Sequence, residues 1–125
     1  MKNLFAYTLP REFEKINIPI PVQSTYLRTY AEKMDLIYNL PQTEICFRQS
    51  YHILKTLIRH VELNNTEPNI GMISILMLPI REYEKLKEII KLEQNIVWHF
   101  PLEGLVLKSN EVLDWSKWYI EIKNK

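Results

Sequence analysis

The sequence predicts an α/β three-layer sandwich built on a mostly parallel sheet of four or five strands. Three observations carry that expectation. Short apolar runs alternate with amphipathic helical stripes along the whole chain. Residues 70–78 (IGMISILML) are apolar almost without interruption, as a strand covered on both faces requires. Prolines at positions 10, 41, 79 and 101 close the runs, where a missing N–H and a fixed φ stop a ladder. Right-handed crossovers between parallel strands follow from this alternation. In the flavodoxin-like order, the carboxyl ends of strands one, three and four face one crevice, with the end of strand two at its side.

Taken in order, residues 3–9 (NLFAYTL) form a first buried strand, followed by a charged loop that Pro19 and Pro21 stiffen at its exit. Pro21 can open a helix, where its missing N–H costs nothing. Val22, Tyr26, Tyr30 and Met34 recur at every fourth position, with Leu27 and Ala31 beside them, and that stripe is the expected core face. Residues 36–40 (LIYNL) form a second strand, closed by Pro41. Ser50 can cap a helix that buries Ile53, Leu54, Leu57, Ile58 and Val61. After the apolar third strand, Tyr83, Leu86, Ile89 and Ile90 lie at helical spacing. Residues 96–100 (IVWHF) form a fourth strand, and residues 105–107 a short fifth. Ser109 or Asn110 caps a last helix with Val112, Trp115, Tyr119 and Ile122 on one face.

A chain of 125 residues is one domain's worth, so a single α/β domain over 1–125 is expected. Its apolar fraction of 46% suffices for a core without staples. One cysteine, Cys46, cannot form an internal disulfide, which fits a reducing compartment. The longest apolar run, residues 70–80, is too short to span a bilayer, and the N-terminus has no signal-peptide pattern. A cytoplasmic protein with no membrane partner is the expectation. Sixteen basic residues against fifteen acidic ones leave +1, which argues against a nucleic-acid partner. Only Gly71 and Gly104 occur, so glycine-rich phosphate loops are excluded and no cofactor is expected. No pair of His, Cys or Asp has metal-ligand spacing, so no metal is expected either.

Polar residues at the strand ends are the candidates for chemistry. His99 ends strand four, and histidine suits proton transfer near neutral pH, although a histidine there more often simply hydrogen-bonds a loop carbonyl. Glu44 and Glu103 can orient it or act as acid and base, although most glutamates are solvated surface. Arg11 and Arg28 can hold a phosphate or carboxylate in a fork, against the plainer reading of a loop charge and a solvent-facing helix residue. Cys46 reads more readily as a small buried hydrophobe than as a nucleophile. Trp118 falls off the core face of the last helix, which suggests a homo-oligomer contact there.

The order of elements, with LFAYTL, a proline-bounded loop and then PVQSTYLRTYAEKMDL, resembles the catalytic domain of the serine recombinases (resolvases). Their signature needs an arginine within the first strand and a nucleophilic serine just after it. Tyr7, Thr8, Leu9 and Pro10 stand there instead, so the resemblance implies the fold without the recombinase reaction. The stretches IPIPVQSTYLRTYAEKMDL, QTEICFRQSYHIL, ISILMLP and HFPLEGL are similar to those of the sporadic carbohydrate cluster proteins, in the same order and over nearly the whole chain. Members of that family are encoded among genes for surface-polysaccharide and unusual-sugar synthesis. The matching stretches contain Gln23, Arg28, Glu44, Tyr51, Pro79, His99 and Glu103. The resemblance thus implies a role in making a sugar building block. The expectation is acid–base chemistry (isomerase, epimerase or lyase type) on an anionic sugar or sugar phosphate. His99, Glu44 and Glu103 would do the chemistry, with Arg11, Arg28, Gln23 and Tyr51 binding substrate. The rival is a non-catalytic scaffold or regulatory subunit on a resolvase-like fold.

Overall fold

The computed structural model describes residues 2–10, 12–13, 15–44, 51–64, 69–78, 96–112 and 115–123. Five strands form one sheet in the order β2-β1-β3-β4-β5: β1 (Lys2–Thr8), β2 (Leu36–Thr43), β3 (Asn69–Gly71), β4 (Val97–Phe100) and β5 (Leu105–Lys108). β1 pairs in parallel with β2 and β3, and β3 with β4. β5 returns antiparallel to β4 as a hairpin. The mostly parallel five-stranded sheet follows the sequence reading, and β1, β3 and β4 lie side by side as in the flavodoxin-like order.

Helix α1 (Ile20–Lys33) packs on β1 and β2, and helix α2 (His52–Asn64) on β2 and β3. Alternation sends Leu4, Ala6 and His99 to the α1 side of the sheet, and Tyr7, Ile70, Trp98 and Phe100 to the other. On that second side lies the main core, where Tyr7, Ile70, Trp98 and Phe100 meet Leu54, Leu57 and Ile58 of α2. Val112 of α3 (Ser109–Val112) and Trp115 of α4 (Trp115–Lys123) close it. A Cβ at Gly71 would lie 3.0 Å from a Leu4 methyl, so the glycine lets Leu4 lie across β3.

Several expectations change. Of the expected stripe, Leu27 and Ala31 are buried, but Val22, Tyr26 and Met34 are 51%, 42% and 45% exposed, and Gln23 is buried in their place. The cause is the Gln23 side chain. Its Nε2 donates to the Leu9 carbonyl at 2.8 Å and the Ile18 carbonyl at 2.8 Å, and its Oε1 accepts from the Leu9 N–H at 3.0 Å. Those bonds fix the helix's rotation by one residue, and satisfying a buried amide outweighs the burial of a few exposed side chains.

Strand two does not stop at Pro41. Asn39 pairs with Phe5 and Gln42 with Tyr7, so β2 carries one extra residue there. Such a bulge on an edge strand accommodates a residue with no N–H to give. Nor is the apolar run 70–78 one long strand: β3 stops at Gly71, and Ile75–Met77 form a 3-10 turn. Every residue in 69–78 is buried, so the run is core, but the Ser74 hydroxyl and the Glu103 carboxylate take the N–H groups of Leu76 and Ile75 that a longer ladder would need. The last helix is described over Ser109–Val112 and Trp115–Lys123. The Ser109 hydroxyl accepts from Trp98 Nε1 and donates to the Ile96 carbonyl, which ties the start of the helix to β4. The helix expected around residues 83–93, Ser50, Cys46 and Arg11 lie outside the described residues.

Candidate functional site

β4 delivers His99 to the α1 face, where it is only 4% exposed. Its Nε2 lies 2.8 Å from Asn69 Oδ1 on β3, and its Nδ1 lies 2.7 Å from the hydroxyl of Tyr30 on α1. An amide oxygen at Nε2 requires the proton on that nitrogen, so Nδ1 is bare and accepts from the Tyr30 hydroxyl. The Tyr30 and His99 rings meet edge-on, 5.5 Å between centroids. Burial lowers the His99 pKa to about 4, so the ring is neutral at physiological pH. Burial raises that of Tyr30. Tyr30–His99–Asn69 is therefore a chain of neutral hydrogen bonds tying α1 to β3 and β4.

The two carboxylates expected beside His99 serve other elements. Glu44, just past β2 and buried, accepts from the N–H groups of Ile53 and Leu54 at 3.1 and 3.2 Å, and from the Tyr7 hydroxyl at 2.9 Å. It caps α2, where Ser50 was expected, and its charge complements the helix's positive end. Glu103, in the turn between β4 and β5, accepts from the Ser74 hydroxyl at 2.8 Å and the Ile75 N–H at 2.6 Å. Burial raises its pKa, and these two bonds oppose the rise. Neither carboxylate is a hydrogen-bond partner of His99. The pleat turns His99 toward α1, whereas Glu44 faces α2 and Glu103 the 3-10 turn.

The expected substrate binders are separated too. Gln23 holds the loop after β1, as described above. Arg28 is exposed and lies over the Tyr38 ring at 5.3 Å. Tyr51 is half-buried against the main core, and its carbonyl accepts from the Lys55 N–H that opens the first turn of α2. At the end of β1, Thr8 is buried and its hydroxyl lies 2.8 Å from that of Thr43. Among the described residues no group of three His, Cys, Asp or Glu side chains could hold a metal ion, and no helix is long and apolar enough to cross a membrane.

A groove of about 770 Å³ opens on the same side as His99, between α1 and the β4–β5 hairpin. Val22, Thr25, Tyr26, Thr29, Tyr30 and Lys33 form its α1 wall, and Pro101 and Gly104 its hairpin wall. The residues missed in the sequence are Tyr30 and Asn69. The signal for Tyr30 was visible as part of the four-residue stripe, but it was read as core. An asparagine opening a buried apolar run was the only sign of Asn69.

No protein-family model matches the chain, and no curated protein does. The likeness to the sporadic carbohydrate cluster proteins thus has no support from these comparisons. Among solved structures, the N-terminal catalytic domain of TP901-1 integrase is similar, with a TM-score of 0.67 at 16% identity over 98% of both chains. That degree of identity speaks for the fold and not for the reaction. The chain has the resolvase-like α/β fold of a serine recombinase catalytic domain.

Proposed function

We propose that this chain is a non-catalytic scaffold or regulatory subunit that keeps a resolvase-like fold without its chemistry. The observation that supports this reading best is the employment of the strand-end polar groups. Glu44 and Glu103 hold backbone N–H groups, and Thr8 pairs with Thr43 where a recombinase would carry its nucleophile region. A carboxylate spent on a helix cap is not free to move protons on a ligand. The surface-polysaccharide setting rests on the sequence resemblance alone, and the cytoplasmic one on the composition and the N-terminus.

A second reading has one observation in its favour. Tyr30 lines the groove and donates a hydrogen bond to a neutral His99, an arrangement through which a proton can pass to or from a bound anionic sugar. That would be an isomerase, epimerase or lyase without help from Glu44 or Glu103. Complementation of a strain deleted for the gene separates the two. The scaffold reading expects Tyr30→Phe, which keeps the ring and removes the proton, to restore the wild-type phenotype at wild-type protein levels. A folded Tyr30→Phe protein that fails to restore it would replace the scaffold with the enzyme.

A further inference from the structure

The groove on α1 has a composition that neither reading explains. Its helix wall exposes Val22 and Tyr26, which a helix ordinarily turns inward, and these residues are uncharged over two turns. Its volume of about 770 Å³ lies within the range of small-molecule sites. Tyr30 is not free to swing, because His99 and Asn69 fix its hydroxyl from below. A ring held this way loses little rotamer freedom on binding. On the opposite wall Gly104 has φ +68° and carries no side chain, and the space a Cβ would take there is open. Among the described residues, Lys33, in the last turn of α1, is the single charged residue lining the groove. It lies two turns, about 10 Å, along the axis from Tyr26.

A tyrosine wall favours a flat ring, which stacks or meets it edge-on. An ammonium at one end favours a negative group. We infer that this groove binds a small molecule consisting of an aromatic ring that carries an anionic group, with the ring against Tyr26 and Tyr30 and the anion at Lys33. Thr25 and Thr29 lie between the two ends and offer hydroxyls to polar atoms of the ligand. The inference rests on the regulatory reading in that it names the ligand such a subunit would sense.

Two probe pairs test it by isothermal titration calorimetry on the full chain: AMP against adenosine, and phenylacetate against phenylacetamide. The expected result is binding of at least one anion, weaker binding of its neutral counterpart, and loss of that difference in Lys33→Met. One partly exposed ion pair corresponds to roughly a two- to fivefold difference. Tyr26→Ala should weaken both members of the pair. Which pair responds distinguishes a nucleotide-type phosphate from an aromatic carboxylate. Failure of both anions to bind at millimolar concentration overturns the inference, as does binding that Lys33→Met and Tyr26→Ala leave unchanged. Neither failure touches the scaffold reading, which rests on the hydrogen bonds that occupy Glu44 and Glu103 and not on the groove.

Discussion

His99 reports how much a side chain's role depends on its neighbours. Its pKa of about 4 against 6.5 for an ordinary histidine means that the unfolded chain binds more protons between those values. The stability this group contributes is therefore fully present above pH 6.5 and falls as pH drops toward 4. At about 1.4 kcal/mol per unit, that is a loss of about 3 kcal/mol. His99→Asn cannot titrate, so urea midpoints at pH 7 and pH 4.5 should differ less in this variant than in wild type. Equal differences would show that His99 is not the group responsible. Glu44 makes a second case. Glu44→Gln keeps an acceptor but removes the charge at the α2 N-terminus, and should cost about 1–2 kcal/mol in denaturation at pH 7. A midpoint that does not move would mean that the cap contributes nothing.

At the scale of elements, α1 shows that a hydrophobic stripe does not by itself fix which way a helix faces. Leu27 is fully buried while Val22 is half exposed. Leu27→Ala should cost about 2–5 kcal/mol, and Val22→Ala should stay within about 0.5 kcal/mol of wild type. Equal losses would restore the stripe as the core face. The run after β3 shows the complementary point. Ile75 is buried, but in a 3-10 turn that Glu103 and Ser74 hold, rather than in the sheet. Ile75→Ala should still cost about 2–5 kcal/mol, because the cavity left behind does not depend on the secondary structure around it. A chemical-denaturation midpoint close to wild type would place Ile75 outside the core.

For the whole molecule, the remaining question is association. Trp118, expected as the self-association contact, is partly buried and packs against the main core. On the same helix, Ile120 is largely exposed. If copies meet through the last helix, Ile120 is therefore the contact, and Ile120→Glu should shift the sedimentation profile to a smaller species without lowering Tm. A wild-type protein that sediments as a monomer at tens of micromolar, a typical range for weak association, removes this interface.

Strand–helix alternation, the apolar run at 70–78 and the short runs at 96–100 and 105–107 determined the fold class, whereas the sheet order and the antiparallel return of β5 were decided by the folded chain. These signals are periodic, and burial follows them directly. The positions of Leu54, Leu57, Ile58, Val112 and Trp115 in the core were legible for the same reason. The site was not. Glu44, Glu103 and His99 were correctly found near the strand ends, but sequence spacing does not say which donors come within hydrogen-bond reach of a buried carboxylate. Only the folded chain brought Ile53 and Ile75 to those carboxylates, and Tyr30 and Asn69 to His99. Buried polar atoms take whichever partner the packing offers, because leaving them unpaired costs more than moving a few apolar side chains into solvent. Gln23 turned α1 on that account, and the groove lined by Tyr26, Tyr30 and Lys33 lies along the face left outside.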